Sequence, residues 1–488
     1  MNAGVVLRVN AGVVLAIGVA LLAPLCISLV YDDGSWKSFL IPSLAMVLTG
    51  APVLYLTRVT RSERAVEHFG TREVYLSVTL AWVLAALLGG VPFLVEGTFS
   101  NPLDSTFEAM SGFTTTGSTL LSDIEAETPS ILFWRSMTQW LGGIGIVVLL
   151  VAVAPALGSG AARLIGAEIS GLTQPRLTPR IADTAKALII VYLALSIAEV
   201  LALLLVGMNL YDSVTHTFTT VATGGFSPKT ASIGFYDSVA VEAVIIFFMV
   251  VSGVSFSLYY SLYTGRDWRT LLDRELLAYL AIIAGATLLV CGILLFQEDY
   301  GTFARAFRNS AFAVSSIITT TGFITDDFDT WDSSAKIVLV LLMFVGGCAG
   351  STAGGIKVVR VLVVVKTVFQ DLFRMVHPRA VTPLKIGETT IPEGVRTAVL
   401  ALFAAWVLTF SVATVLVALQ PELSAISAAT AVAATLNVVG PGLGQVGASE
   451  SFEVVNGFGR FVLTICMLLG RLEIFTALAL LAPAFWRR

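Results

Sequence analysis

The sequence predicts an all-α polytopic membrane protein, two leading helices followed by four parallel helix–loop–helix repeats. Three observations carry that prediction: the composition, the length of the apolar segments, and their recurrence in one order. Of the 488 residues, 56% are hydrophobic and 13% charged, and the mean hydropathy is +0.87. A soluble domain carries about 25% charged residues, so this composition cannot cover a water-facing surface. Residues 5–30 and 40–56 each approach or exceed the roughly 20 apolar residues that cross a bilayer as a helix. The first segment is too long for a signal-peptide core and lacks a small-residue cleavage site, so it is expected to span. No stretch is long and polar enough for a separate soluble domain.

After these two helices, a long apolar segment (74–96), a short one (103–116) and another long one (131–157) follow in order. The same long–short–long order returns at 183–207, 211–223 and 238–264, at 276–297, 303–321 and 335–369, and at 393–419, 424–438 and 455–486. The period is about 110 residues, and such repeats dictate architecture. The expected division is 1–72 for the leading helices, then 73–162, 163–272, 273–388 (with a broken second helix) and 389–488. Each unit crosses the membrane twice, so all four share one orientation and can surround an axis along the membrane normal. The short segments must then be re-entrant. Irregular backbone at membrane depth survives only inside protein or beside a watery cavity, and a central pore meets that condition for all four.

Basic residues set the orientation. Arg58, Arg61, Arg64 and Arg72 follow the second helix; Arg163, Arg176, Arg180 and Lys186, then Arg266, Arg269 and Arg274, then Lys366, Arg374, Arg379 and Lys385 lie between units; and the chain ends Arg487-Arg488. The opposite side is acidic, with Asp32, Asp33, Asp123, Glu125, Glu127, Asp326, Asp327, Asp329 and Asp332. Positive loops stay in the cytoplasm, which puts both termini there and makes the short segments dip in from outside. Lys229, Arg305 and Arg308 run against the bias.

The same residues exclude other classes. Cys26, Cys291, Cys348 and Cys466 stand far apart in apolar surroundings and read as small core residues. His68, His216 and His377 are scattered, so no metal-binding or catalytic constellation forms, and no enzyme is expected. Nothing points to nucleic acid or an organic cofactor. No Walker or GxGxxG motif suited to a nucleotide is present, so nucleotide sensing would have to come from a partner.

The chemistry lies at the ends of the short segments. They read Thr114-Thr115-Thr116-Gly117-Ser118, Val221-Ala222-Thr223-Gly224-Gly225, Thr319-Thr320-Thr321-Gly322-Phe323 and Asn437-Val438-Val439-Gly440-Pro441. A dehydrated potassium ion needs oxygens to replace its water shell, and backbone carbonyls from symmetry-related loops supply them. Glycine permits the backbone turns that aim those carbonyls, and the hydroxyls of Thr115 and Thr320 can add ligands at the inner edge. The short helix at 104–113 would direct its partly negative C-terminal end at a cation. The expected potassium-binding set is Thr115, Thr116 and Gly117; Ala222, Thr223 and Gly224; Thr320, Thr321 and Gly322; and Val438, Val439 and Gly440. Because the residue after each glycine differs, the outer carbonyl rings are expected to be irregular and the selectivity looser than in a symmetric filter.

Two further features sit at membrane depth. Gly346, Gly347, Gly350, Gly354 and Gly355 fall within ten residues of one long segment, and each costs a helix about 1 kcal/mol relative to alanine. The stretch reads either as an unwound segment beside a cavity or as a tight helix crossing. Arg471 lies within the last long segment, where a charge is costly unless paired or facing water. It is expected either to be neutralised by Glu473 or to snorkel to an interface, or else to line the pore.

The chain resembles the Trk/Ktr/HKT superfamily of potassium transporters, and within it the membrane subunits of bacterial Trk systems. The motifs that carry the likeness are SGFTTTGSTL (111–120), TVATGGFS (220–227), TTTGFIT (319–325), VGGCAGSTAGGIKVVR (345–360), VHPRAV (376–381), TLNVVGPGLG (435–444) and GRLEIFT (470–476). The two leading helices favour the Trk over the shorter Ktr type. The resemblance implies potassium uptake across the bacterial cytoplasmic (inner) membrane and a homodimer with one pore per protomer. It also implies a TrkA-like cytoplasmic ring of nucleotide-binding regulatory subunits. It maps the filter glycines onto Gly117, Gly224, Gly322 and Gly440, assigns 346–355 to an intramembrane gating loop, and makes Arg471 a pore-lining cation. Glycine at 117, where a sodium-passing branch has serine, favours potassium. Proton- or sodium-coupled transport and a less selective monovalent cation channel stay open. An organic-solute carrier would favour inverted repeats, and a scaffold would not need four matched loops.

Overall fold

The computed structural model describes residues 3–59, 70–153, 181–265, 272–296, 301–380, 382–387 and 389–486. Arg61, Arg64, Arg163, Arg176, Arg180, Arg266, Arg269, Arg487 and Arg488 of the charge pattern, and His68, lie outside the described residues. The fold is all-α apart from a two-stranded hairpin, β1 (Lys385–Ile386) and β2 (Thr389–Thr390), paired antiparallel with Lys385 opposite Thr390.

The leading helices are α1 (Ala3–Ala20) with α2 (Leu22–Tyr31), and α3 (Trp36–Val59). They pack closely because Gly18 leaves no room for a Cβ beside Met46, and the Ser43 hydroxyl donates to Gly18 O at 2.7 Å. Next come α4 (Thr71–Gly89), α5 (Val91–Glu96), the short α6 (Pro102–Phe113) and α7 (Pro129–Val153). The second set is α8 (Ile181–Leu205), the short α9 (Leu210–Val221), α10 (Val239–Ser252) and α11 (Phe256–Gly265). The third is α12 (Arg274–Phe296), the short α13 (Phe303–Ile318), α14 (Ser333–Met343) and α15 (Val358–Val376). The fourth is α16 (Glu393–Val417), the short α17 (Ala425–Leu436) and α18 (Gly457–Arg471). Among the described residues, six helices are long and apolar enough to span, or eight if two sharply bent pairs each count as one span.

Those bent pairs correct the expectation of continuous helices at 238–264 and 455–486. Between α10 and α11 the axis turns by 89°. The backbone freed there bonds the glycine-rich segment, for Gly253 O accepts from Cys348 N at 2.9 Å and Phe256 N donates to Gly350 O at 3.1 Å. After α18 the axis turns by 107°, because Glu473 and Ile474 take left-handed φ values of 55° and 54°, which no α-helix accommodates. Arg471 therefore ends a helix instead of sitting mid-span.

The four short helices lie inside the bundle. Each starts at a side-chain cap, with Asn101, Asn209, Thr302 and Ser424 accepting from the backbone N–H three residues on. Such caps satisfy orphan N–H groups that lipid would leave bare. Phe107, Phe312, Trp134 and Trp406 are fully buried around them. All four cysteines are free; Cys291, Cys348 and Cys466 are buried as expected, whereas Cys26 is exposed on α2.

Candidate ion-conduction site

The short helices end alike, and the ending builds the site. At the end of α6, Thr115 N donates to Gly112 O (2.9 Å) and Thr116 N to Ser111 O (2.8 Å). The same pair of bonds recurs for Thr223 and Gly224 after α9, Thr320 and Thr321 after α13, and Val438 and Val439 after α17. This is the Schellman pattern, which needs one left-handed residue and normally takes glycine. Here that residue is Thr115 (φ 57°), Thr223 (55°), Thr320 (56°) or Val438 (61°). A β-branched residue in that region is a true outlier, costing about 1–3 kcal/mol.

Two residues further on, Gly117, Gly225, Gly322 and Gly440 have φ of 88°, 78°, 81° and 110°. The register of the second loop is therefore one residue later than expected. Its equivalents of Thr115, Thr116 and Gly117 are Thr223, Gly224 and Gly225, and Ala222 matches Thr114 at the helix cap. The reason is the position of the left-handed cap, which falls on Thr223. The close approaches agree. A Cβ at Gly117 would collide with Gly224 O, one at Gly225 with Thr321 O, and one at Gly322 with Val439 O; one at Gly440 would lie 3.0 Å from Thr116 O. Each loop thus abuts the next, and the fourth returns to the first. Gly117, Gly225, Gly322 and Gly440 line one cavity of about 190 Å³, together with Ser118, Lys229 and Glu450.

Each loop has its own brace. Glu108 and Arg135 form a buried ion pair at 2.9 Å; Glu108 also accepts from Thr119 Oγ1 (2.9 Å) and Leu120 N (3.0 Å). The Gln139 amide donates to Gly224 O (2.7 Å) and accepts from Phe226 N (3.1 Å). Ser316 Oγ donates to Phe323 O at 2.7 Å. Asp329 accepts from Gly444 N at 2.8 Å, and burial raises its pKa above the ordinary carboxylate value while that N–H opposes the rise. Sequence reasoning missed all of these braces. The only signal for them was polar residues within apolar segments, which names no partner.

The segment joining α14 to α15, whose residues are not among those lining the cavity, is not a helix crossing. Gly346, Gly350 and Gly355 have φ of 76°, 76° and 72°, and Lys357 of 82°. Its two arms bond each other, with Lys357 N donating to Val345 O (3.0 Å) and Val358 N to Gly347 O (3.0 Å). Its tip reaches the loop ends. Gly354 N donates to Thr320 Oγ1 at 2.6 Å, Gly355 N to Asn437 O at 3.0 Å, and Thr352 Oγ1 to Val221 O at 3.1 Å. Arg471 is 4% exposed and donates to Thr352 O (2.8 Å) and Gly142 O (3.3 Å). Glu473 pairs with Arg360 at 2.5 Å, not with Arg471. The twelve loop positions expected from sequence are thus drawn together except for the one-residue shift, and the glycine-rich segment and Arg471 converge beneath them.

This arrangement defines a polytopic all-α membrane protein in which four capped loops close a ring across the bundle. The TrkH family, described as cation transport protein, matches residues 45–488, and the chain belongs to it. The chain is 38% identical over 491 residues to the Trk system potassium uptake protein TrkH of Halomonas elongata, covering 100% of both. It is 37% identical to TrkH and 31% identical to TrkG of Escherichia coli K12, covering 96% of each chain in both cases. The crystal structure of the potassium transporter TrkH from Vibrio parahaemolyticus superposes with a TM-score of 0.90 at 37% identity, covering 100% of both chains. These relatives are transport proteins, not enzymes.

Proposed function

We propose that this chain carries potassium into the cell across the bacterial cytoplasmic membrane, through the axis of the four-loop ring. The observation that carries the reading is the fourfold recurrence of one strained cap followed by one left-handed glycine. Four non-identical sequences hold the same costly backbone, and a ring of carbonyls around a cation gives a reason for it. In this reading the ion-binding residues are Thr115–Gly117, Thr223–Gly225, Thr320–Gly322 and Val438–Gly440, acting chiefly through backbone carbonyls. The segment at 346–355 is a gate below the filter, and Arg471 holds it by donating to Thr352 O. Both termini are cytoplasmic, the protein pairs as a homodimer, and a TrkA-like nucleotide-binding ring regulates it. The names of the relatives support potassium as cargo. The irregular braces behind the loops favour a filter that admits some sodium, since the four loops are not held identically.

Radiolabelled Rb⁺ uptake into proteoliposomes tests this directly. Wild-type protein is expected to accumulate Rb⁺, and Gly117→Ser to lose selectivity against Na⁺ in competition. Well-folded protein that carries no Rb⁺ overturns the proposal.

A further inference from the structure

We infer that Glu275, at the start of α12, is a positioning residue that clamps the glycine-rich segment to the helix that follows it; its functional consequence rests on reading that segment as the gate. A single oxygen, Oε1, accepts from Ala349 N at 2.7 Å and from Val359 N at 3.3 Å. Ala349 lies in the irregular stretch itself, and Val359 is the second residue of α15, the helix that resumes after it. Glu275 is 5% exposed and comes from a different helix, so it ties Ala349 to α15 from outside the segment.

The local sequence explains why an outside group is needed. A helix begins with N–H groups that have no partner within it, normally met by a cap residue. The cap position of α15 is Lys357, which makes no side-chain cap bond and has φ of 82°. Its ammonium group turns back to donate to Ala353 O. Glu275 supplies an acceptor at the first turn of α15. The segment is also tied from its tip to the loop ends, and at Cys348 and Gly350 to the backbone between α10 and α11. Glu275 thus joins Ala349 to the start of α15, and movement of Ala349 away from that helix requires its two bonds to lengthen or to travel together.

Cys348, next to Ala349 and 1% exposed, is a native reporter. In the full chain carrying Cys26→Ala, Cys291→Ala and Cys466→Ala, alkylation of Cys348 by N-ethylmaleimide reads how often the segment opens. Glu275→Ala is expected to speed alkylation about tenfold or more, the loss expected when buried N–H groups are left without an acceptor. Glu275→Gln keeps the accepting oxygen and is expected to stay near the parent rate. Alkylation of well-folded Glu275→Ala at the parent rate overturns the clamp. Should Glu275→Ala not yield monodisperse protein, Glu275→Asp withdraws the oxygen by one methylene; severalfold faster alkylation supports the clamp, and the parent rate overturns it. Rb⁺ uptake measured on the same variants separates the two ideas. Faster alkylation with higher uptake supports both, whereas faster alkylation with unchanged uptake supports the clamp and overturns the gate.

Discussion

Thr223 and Gly225 show how much one residue decides. The stretch Thr223-Gly224-Gly225 offers two glycines, and either fits the pattern of a small pair followed by glycine. The structure distinguishes them by what a methyl group would meet. At Gly225 it would run into the backbone oxygen of Thr321, at a φ that side chains avoid; at Gly224 it would meet the amide of Gln139, the far end of a flexible chain. Gly225→Ala is therefore expected to lower Rb⁺ uptake at least tenfold, and Gly224→Ala to retain clearly more. Equal losses would show that the assigned register does not govern conduction. The other three loops were legible from sequence because each carries one glycine directly after its β-branched pair.

Among elements, the segment between α14 and α15 carries the clearest expectation. Its arms bond each other and its tip bonds Thr320, Asn437 and Val221, so it lies against the ends of three of the short helices. Shortening 347–354 is expected to raise Rb⁺ flux severalfold in proteoliposomes; unchanged or lower flux from folded protein counts against a gate. Arg471→Ala removes the donor to Thr352 O and is expected to raise flux in the same assay, while a fall would sink its role. That the segment unwinds was readable from five glycines in ten residues. The partner of Arg471 was not. Glu473 is two residues away in sequence, but the left-handed turn at 473 and 474 directs it to Arg360 instead.

At the scale of the molecule, polar contacts stitch the fourfold ring where lipid-like packing alone would leave it slack. Arg460 of α18 pairs with Asp104 of α6 at 2.6 Å, closing the fourth unit onto the first, and Ser118 Oγ donates to Gly440 O at 2.8 Å across the same seam. Arg308 pairs with Glu242 at 2.6 Å and Lys229 with Glu125 at 3.0 Å, so these two basic residues that break the charge bias are matched by acids. Arg135 is the most enclosed of these cations, bonded to Glu108 and to Ser227 O of the second loop. Arg135→Ala leaves a buried carboxylate without its partner, a change worth about 3–5 kcal/mol. A clear drop in the thermal unfolding midpoint is expected, with Arg135→Met/Glu108→Gln together costing less than Arg135→Ala alone. Equal midpoints for Arg135→Ala and the parent would place the pair outside the stabilising set.

The sequence by itself determined the membrane class, the fourfold order of long and short helices, and the place of each loop. All three follow from apolar length and from glycine, which act locally and leave a periodic trace. Only the tertiary structure decided which glycine of the second loop joins the ring, where α10 and α18 stop, and which groups hold Arg471 and Glu275. Those outcomes depend on partners up to hundreds of residues away in the chain. A helix end or a buried charge is settled by the group that accepts its hydrogen bond, and no local pattern records who that is.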